Sequence, residues 1–448
     1  MVARLFGTDG VRGRANATLT PELALRLSEA AATVLRGSEG TKPKVIIADD
    51  GRLSGGMLKA ASVAGLSSAG ADVVDVGVVP TPATAYLTDV LGADFGVMIS
   101  ASHNPMPDNG IKFFAAGGRK LPDDVEDAIE SAMDVELPRP QGSELGAVTR
   151  DSGARQRYID HVVSTCDQSL SSLSVVLDPA NGAAATVTPD ILRACGAHVT
   201  VVNGDPNGLN INENAGSTHI DGLRREVADR RADLGIALDG DADRCLAVDA
   251  SGEVVDGDAI MAVLASAMKE RGQLNKNTLV ATVMSNLGLH QAMQREGIAL
   301  ETTKVGDRYV LERLIESDLS LGGEQSGHIV VPRYATTGDG SLTAVLLLAR
   351  MAETGRSLRE LAEIYTAAPQ VLINVPVEDK GIMDAEPVRD RVAHWKDELG
   401  DDGRVLLRPS GTEPLVRVMV ESSEVAVAES VANDLVAVLR SVAIDHAG

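Results

Sequence analysis

The sequence predicts an α/β protein: three successive α/β domains with mixed sheets and a C-terminal α+β domain, arranged around a central cleft. Three observations predict it. At 448 residues the chain is too long for one compact core, and length alone suggests about three domains. The first two-thirds alternates helical patterns with short apolar, β-branched runs, the signature of βα units around largely parallel sheets. Finally, the polar motifs Ser100–Pro105, Asp239–Arg244 and Gly323–His328 each follow a short apolar run. Ligands of open α/β sheets bind beyond the carboxyl ends of the strands, so three such loops point to one shared cleft.

Taken in order, the elements begin with a helix start, in which Thr20 supplies a capping hydroxyl and Pro21 occupies the first helical position. Leu23, Leu27, Ala30, Ala31 and Val34 then fall on one face, and Gly37 closes the helix. Val45–Ala48, Val73–Val76 and Val97–Ser100 read as strands of the first unit. Val175–Leu177, Val199–Val202 and Leu234–Leu238 supply the second. The third holds a helix around Asp258–Met268, the strand Leu279–Met284 and a helix after Asp307. The last part changes character. Val371–Val377, Val405–Leu407 and Val416–Val420 are strands separated by turns, followed by a helix from Glu424 to about Val442. The expected division is 1–155, 156–254, 255–368 and 369–448.

Composition narrows the function. A formal charge of −23 and an aromatic content of 2% argue against a nucleic-acid partner, which needs basic surface and stacking platforms. No apolar run reaches the roughly 18 residues that span a membrane, and the N-terminus lacks the apolar core of a signal peptide. The expected location is the cytoplasm. Cys166, Cys195 and Cys245 are scattered, with no CxxC pair, and read as free thiols of a reducing compartment. An acidic chain that handles an anionic substrate must gather its positive charge locally.

The motifs carry the chemistry. Asp239, Asp241 and Asp243 alternate across a turn after a buried strand, and three carboxylates so close repel one another unless a cation sits among them. Hard oxygen ligands at this density suit Mg²⁺ or Ca²⁺. An EF-hand would need glycine and glutamate where Arg244 and Ala250 stand, so that reading fails. Arg244 suits a phosphate that also touches the metal. Ser102 lies in Ser-His-Asn-Pro beside His103, with no G-x-S-x-G elbow and no P-loop. Beside a metal loop it reads as a phosphoryl acceptor, and Lys112, following on the same loop, as an acid/base or a neutralising charge. Arg408, Ser410, Gly411 and Thr412 read as an anion clamp in the last domain, with a plain strand-connecting turn as the alternative reading of the motif alone. Glu324, Ser326 and His328 share one tight loop suited to sugar hydroxyls.

These motifs, with Phe6–Gly13 and Lys304–Arg308, occur in an order and over a length that resemble the α-D-phosphohexomutase superfamily. The resemblance implies four domains around a cleft, Ser102 as the phosphoserine, and one Mg²⁺ held by Asp239, Asp241, Asp243 and that phosphoserine. It also implies sugar contacts from Glu324 and Ser326, phosphate contacts from Arg408, Ser410, Gly411 and Thr412, and Arg12 and Lys112 near the transferring phosphate. His103 joins Ser102, Lys112 and Arg12 as a candidate catalytic residue, and Arg244, Lys304 and His328 join the candidate substrate-binding residues. Gln325 in the sugar loop resembles the glucosamine branch, where phosphoglucomutase and phosphomannomutase relatives more often carry methionine. The reaction implied is the interconversion of glucosamine 6-phosphate and glucosamine 1-phosphate, feeding cell-wall precursor synthesis. Glucosamine 1,6-bisphosphate or glucose 1,6-bisphosphate would serve as activator and intermediate. The expected partner is a small-molecule sugar phosphate, and a homodimer is compatible. Rival readings are a glucose- or mannose-specific mutase, a phosphatase using the same serine, and a sugar-phosphate sensor that regulates another protein. Asp50-Gly51-Arg52 stands where relatives often have Asp-Thr-Arg, and Ala215 where many have cysteine; neither position is expected to touch a catalytic role.

Overall fold

The computed structural model describes residues 4–7, 9–36, 41–137, 139–410 and 414–446. Its β-branched runs form four sheets. The first contains β1 (Val11–Arg14), β2 (Lys44–Asp49), β3 (Asp72–Val78), β4 (Phe95–Ile99), β5 (Asp108–Ala115), β6 (Arg119–Lys120) and β7 (Val148–Arg150). Their order is β1-β5-β4-β2-β3-β7, with β6 paired to β5. The neighbours β4-β2-β3-β7 run parallel, whereas β5 returns antiparallel to β4. The second sheet, β12-β11-β10-β8-β9, repeats this plan with β8 (Ser174–Asp178), β9 (His198–Val201), β10 (Leu234–Leu238), β11 (Cys245–Asp249) and β12 (Val254–Val255). Here β9, β8 and β10 are parallel and β11 returns antiparallel to β10. The third has β13 (Thr278–Thr282), β14 (Ala299–Thr303), β15 (Gly322–Gly323) and β16 (Ile329–Val330), with β16 antiparallel to β15.

The three motif loops therefore occupy one topological place. Each is the connection from a strand of the parallel set to the antiparallel strand beside it: β4 to β5, β10 to β11, β15 to β16. The fourth sheet is wholly antiparallel, β17-β19-β18, from β17 (Gln370–Pro376), β18 (Gly403–Pro409) and β19 (Leu415–Ser422). The helices Glu386–Leu399 and Val425–His446 pack on it through a core that includes Val388, Val418, Val431, Leu435 and Leu439.

By contacts the chain forms two compact units, one of Met1–Met284 with Gly297–Ile364 and the other of Ser285–Glu296 with Tyr365–Gly448. The helix Leu287–Arg295 belongs to the second because its start is tied to that unit's core. Asn286 Nδ2 and the Leu287 N–H both donate to the buried Glu421 carboxylate, at 3.1 and 2.9 Å. In the first unit the helix Pro21–Val34 starts as its sequence dictates, with Thr20 Oγ1 accepting from the Leu23 N–H at 3.2 Å. It ends at Leu35; Gly37, expected to close it, lies outside the described residues. Cys166, Cys195 and Cys245 are free thiols. Among the described residues no helix is long and apolar enough to cross a membrane.

Candidate active site

Ser102 ends a turn that its own backbone makes costly. Its φ of 51° is left-handed, a conformation worth about 1–2 kcal/mol of strain for a residue with a side chain. Hydrogen bonds hold it there. The Ser102 N–H donates to Ser100 Oγ at 2.9 Å, and its carbonyl accepts from Arg52 Nη2 and Asn212 Nδ2, both at 2.8 Å. So fixed, the buried Ser102 hydroxyl donates to Asp239 Oδ2 at 2.5 Å. His103 Nδ1 lies 3.4 Å from Ser102 Oγ. Burial, reinforced by Arg244 and Arg12, lowers the His103 pKa to about 4, so its ring is neutral at neutral pH.

Asp239, Asp241 and Asp243 are buried, and one ligand oxygen from each lies within 4.8 Å of the others. Burial pushes Asp239 well up, with Asp243 and Asp241 adding to the shift; burial and then Asp241 raise Asp243. Asp241 goes down despite its burial, because the Lys112 ammonium lies 2.9 Å from Oδ2. That oxygen also accepts from Thr81 Oγ1 at 2.6 Å. By contrast, Asp241 Oδ1 and Asp243 Oδ1 are buried and accept no hydrogen bond. Two unpartnered carboxylate oxygens beside a third carboxylate are a donor set that fits a hard divalent cation, so these residues could hold a metal ion. Gly240 lets the loop stand this close: a Cβ there would meet the Ser102 carbonyl oxygen and Asn212 Nδ2 at 2.8 Å.

Lys112 lies not on the serine loop but within β5, opposite Met98 of β4, because the chain has already turned back by Asp108, where β5 begins. There it heads a chain of alternating charges. Its ammonium is 3.0 Å from Asp9 Oδ2, Asp9 Oδ1 is 3.1 Å from Lys120, and Lys120 is 2.6 Å from Asp307. Arg12 pairs with Asp9 as well. Burial alone would lower Lys112, but Asp241, Asp9 and Asp243 outweigh it and raise its pKa. The amine therefore keeps its proton.

A cavity of about 420 Å³ opens beside these groups, lined by Arg12, His103, Asp243, Arg244, Glu324 and His328 among others. Three lining groups have polar atoms with no hydrogen bond in the protein, Arg12 Nε, Arg244 Nε and His328 Nδ1; so does Ser326 Oγ nearby in the Gly323–His328 loop. Glu324 Oε1 accepts from the Gly306 N–H at 3.0 Å. Lys304 does not line this cavity; it is exposed, with its ammonium 5.9 Å from the Tyr309 ring centroid. Gln325 turns away too, its amide donating to Asp256 Oδ2 at 3.2 Å at the cap of the helix Gly257–Glu270.

In the second unit Arg408 of β18 stands directly across from Arg417 of β19. Burial and then this like charge lower the Arg408 pKa. The buried Ser410 offers its carbonyl to Lys380 Nζ at 2.6 Å, which adds a third cation to the strand end. Gly411 and Thr412 lie outside the described residues. Arg52, Asn212, Thr81, Lys120 and Lys380 escape a reading by motif because their partners lie far off in sequence, and Asp9, though inside Phe6–Gly13, shows its part only through Lys112 and Lys120. The one available signal was position: Asp50–Arg52 follow β2, whose end adjoins that of β4 at Asp49 and Ile99.

The same chain matches the phosphoglucomutase/phosphomannomutase family throughout. Its alpha/beta/alpha domain I matches residues 3–139, domain II residues 156–252, domain III residues 256–368, and its C-terminal domain residues 372–438. A phosphoglucosamine mutase from Saccharopolyspora erythraea is 60% identical over 444 residues, covering 98% of this chain and 100% of its own. Among solved structures, a phosphoglucomutase/phosphomannomutase family protein from Burkholderia thailandensis shares the fold at a TM-score of 0.84 and 24% identity, covering 99% of this chain and 98% of that one. So does an Aspergillus fumigatus N-acetylphosphoglucosamine mutase in complex with GlcNAc-6P and magnesium, at a TM-score of 0.67 and 18% identity, covering 98% and 96%. The chain therefore belongs to the phosphoglucomutase/phosphomannomutase family and, within it, to the phosphoglucosamine mutases.

Proposed function

We propose that this enzyme interconverts glucosamine 6-phosphate and glucosamine 1-phosphate by way of a phosphorylated Ser102. One observation carries the reading: a buried serine hydroxyl held against a carboxylate of a triad in which two oxygens accept nothing. Phospho-Ser102 gives its phosphoryl to the O1 hydroxyl, the serine oxygen leaves, and the displaced hydroxyl proton passes to it. The resulting 1,6-bisphosphate reorients, and Ser102 Oγ takes the 6-phosphoryl back as O6 leaves and receives the serine proton, which gives the 1-phosphate. Asp239, Asp241, Asp243 and the phosphoserine would hold one Mg²⁺, whose charge offsets that of the transferring group.

The chain's own residues do the rest. Lys112, kept protonated by its carboxylates, neutralises charge on the transferring group rather than acting as the resting base. Arg12 and Arg244 turn unpartnered N–H groups toward phosphate oxygens. Glu324, Ser326 and His328 bind sugar hydroxyls, and Arg408, Ser410, Gly411 and Thr412 the phosphate that is not reacting. Four domains divided near 155, 254 and 368, a cytoplasmic location and a glucosamine 1,6-bisphosphate or glucose 1,6-bisphosphate activator complete the proposal. Gln325 contributes indirectly, since its amide is spent on Asp256, so the choice of amino sugar leans on the 60% identical relative.

Phosphorus NMR with Mg²⁺, a trace of sugar bisphosphate and glucosamine 6-phosphate tests this. Glucosamine 1-phosphate should appear with the wild type and not with Ser102→Ala. Faster turnover of glucose or mannose 6-phosphate would overturn the substrate, and net release of inorganic phosphate would overturn the mutase.

A further inference from the structure

Building on the reading of Ser102 as the phosphoryl carrier, we propose that Arg52 is the residue that positions it, through a buried guanidinium around which the serine loop is folded. The side chains of Arg52 and Asp50 are both 0% exposed. A guanidinium has five N–H donors in a rigid plane, and here each has an acceptor. Nε donates to Asp50 Oδ2 at 2.8 Å. Nη1 donates to the carbonyls of Pro105 (2.8 Å) and Asp108 (3.2 Å), and Nη2 to those of Ser102 and Asn104 (both 2.8 Å). Four of the five acceptors are thus backbone carbonyls of one short loop, residues 102–108. Carbonyl dipoles converging in this way repel one another, and the planar cation among them is what makes the turn stable.

The pair also reaches the other side of Ser102. Asp50 Oδ2 accepts from Ser100 Oγ at 2.7 Å, and Ser100 Oγ in turn accepts from the Ser102 N–H. Arg52 directly, and Asp50 through Ser100, therefore grip both the carbonyl and the N–H of the left-handed residue, whose Oγ is left aimed at Asp239. Arg52 does not line the cavity. Its effect should fall on the placement of the transferring oxygen and spare the binding of the sugar phosphate. Misplacement by about 1 Å costs on the order of 100-fold in rate. Lysine cannot substitute, because one ammonium with three donors cannot serve four carbonyls in a plane.

The test is steady-state kinetics of Arg52→Lys, Arg52→Gly and Ser102→Ala in the full chain, with melting curves alongside. Arg52→Lys is expected to lose about 100-fold or more in kcat while KM for glucosamine 6-phosphate stays within about threefold. Arg52→Gly should regain at least about tenfold in kcat when guanidinium ion is added at millimolar concentration, with no matching gain in the wild type or in Ser102→Ala. Should neither Arg52 variant fold, Ser100→Ala, which cuts only the arm to the Ser102 N–H, should lower kcat about tenfold at unchanged KM. A folded Arg52→Lys with kcat within twofold of wild type would overturn the proposal. So would a rate loss that follows melting temperature and KM and ignores guanidinium, or a Ser100→Ala of wild-type rate. If Ser102→Ala itself turns over normally, the reading of Ser102 fails first and takes this proposal with it.

Discussion

At the scale of single residues, the candidate site rests on close approaches that tolerate little change. Gly240 has the most direct consequence. A methyl group at that position would have to displace the Ser102 carbonyl or the Asn212 amide, because each lies 2.8 Å from where it would stand. Gly240→Ala is expected to reduce kcat at least tenfold and to lower stability by about 1–3 kcal/mol, read by kinetics and urea unfolding. A full-rate variant would show that the two loops can separate without loss. Lys112 makes a different prediction. It is buried among Asp9, Asp241 and Asp243, so Lys112→Met leaves the buried Asp241 without its cation, while Asp9 keeps Lys120 and Arg12, and should cost about 3–5 kcal/mol in urea. Unfolding within 1 kcal/mol of the wild type would mean that the carboxylates find other partners. Ser102 and the aspartates were legible because each motif packs its chemistry into a few consecutive residues. Arg52 and Asn212 were not, since their partners stand 50 and 110 positions away and only folding joins them.

At the scale of elements, the strands and helices named from β-branched runs and caps recur in the structure, because local patterning decides them. What patterning hid was the antiparallel return after each motif loop, which turned the presumed loop position of Lys112 into the middle of β5. Which neighbour a strand chooses is a tertiary decision. Helix caps carry a titratable example. Asp339 caps the helix Gly340–Thr354 by accepting from the Leu342 N–H at 2.9 Å, and the Tyr158 hydroxyl donates to it at 2.9 Å. Burial outweighs these bonds and raises its pKa from 3.8 to about 6. The folded protein then holds a proton that the unfolded chain has already released, so stability falls as pH rises from about 4 through 6 and levels above that. A shift of roughly two units corresponds to at most about 3 kcal/mol. Asp339→Asn retains an oxygen for the cap and should flatten the pH dependence between 4 and 6, with higher stability at pH 8. Urea midpoints measured across this range would check it; an unchanged slope would assign the titration elsewhere.

At the scale of the whole molecule, the formal charge of −23 sets two responses apart. Self-repulsion of a charged surface is long-ranged and weakens with any salt, because the Debye length falls from about 30 Å at 0.01 M to about 10 Å at 0.1 M. The chain should therefore melt higher in 0.1 M than in 0.01 M sodium chloride, whatever its motif loops contain. The aspartate triad predicts a second, local response. Its unpartnered oxygens on Asp241 and Asp243 exist only in the folded state, so a divalent ion bound there stabilises by mass action, about 2.7 kcal/mol when its concentration is 100 times Kd. Melting curves at constant ionic strength, with Mg²⁺ replacing the equivalent sodium chloride, separate the two. Wild type should gain several degrees from millimolar Mg²⁺. Asp243→Asn removes one ligand oxygen's charge while leaving Lys112 its contacts with Asp9 and Asp241, so it should lose that gain and keep the response to sodium chloride. Equal magnesium shifts in both proteins would mean that the ion acts on the surface as a whole; Asp241 and Asp243 would then have to be explained by their ion pairs with Lys112, and Asp239 by its hydrogen bond from Ser102.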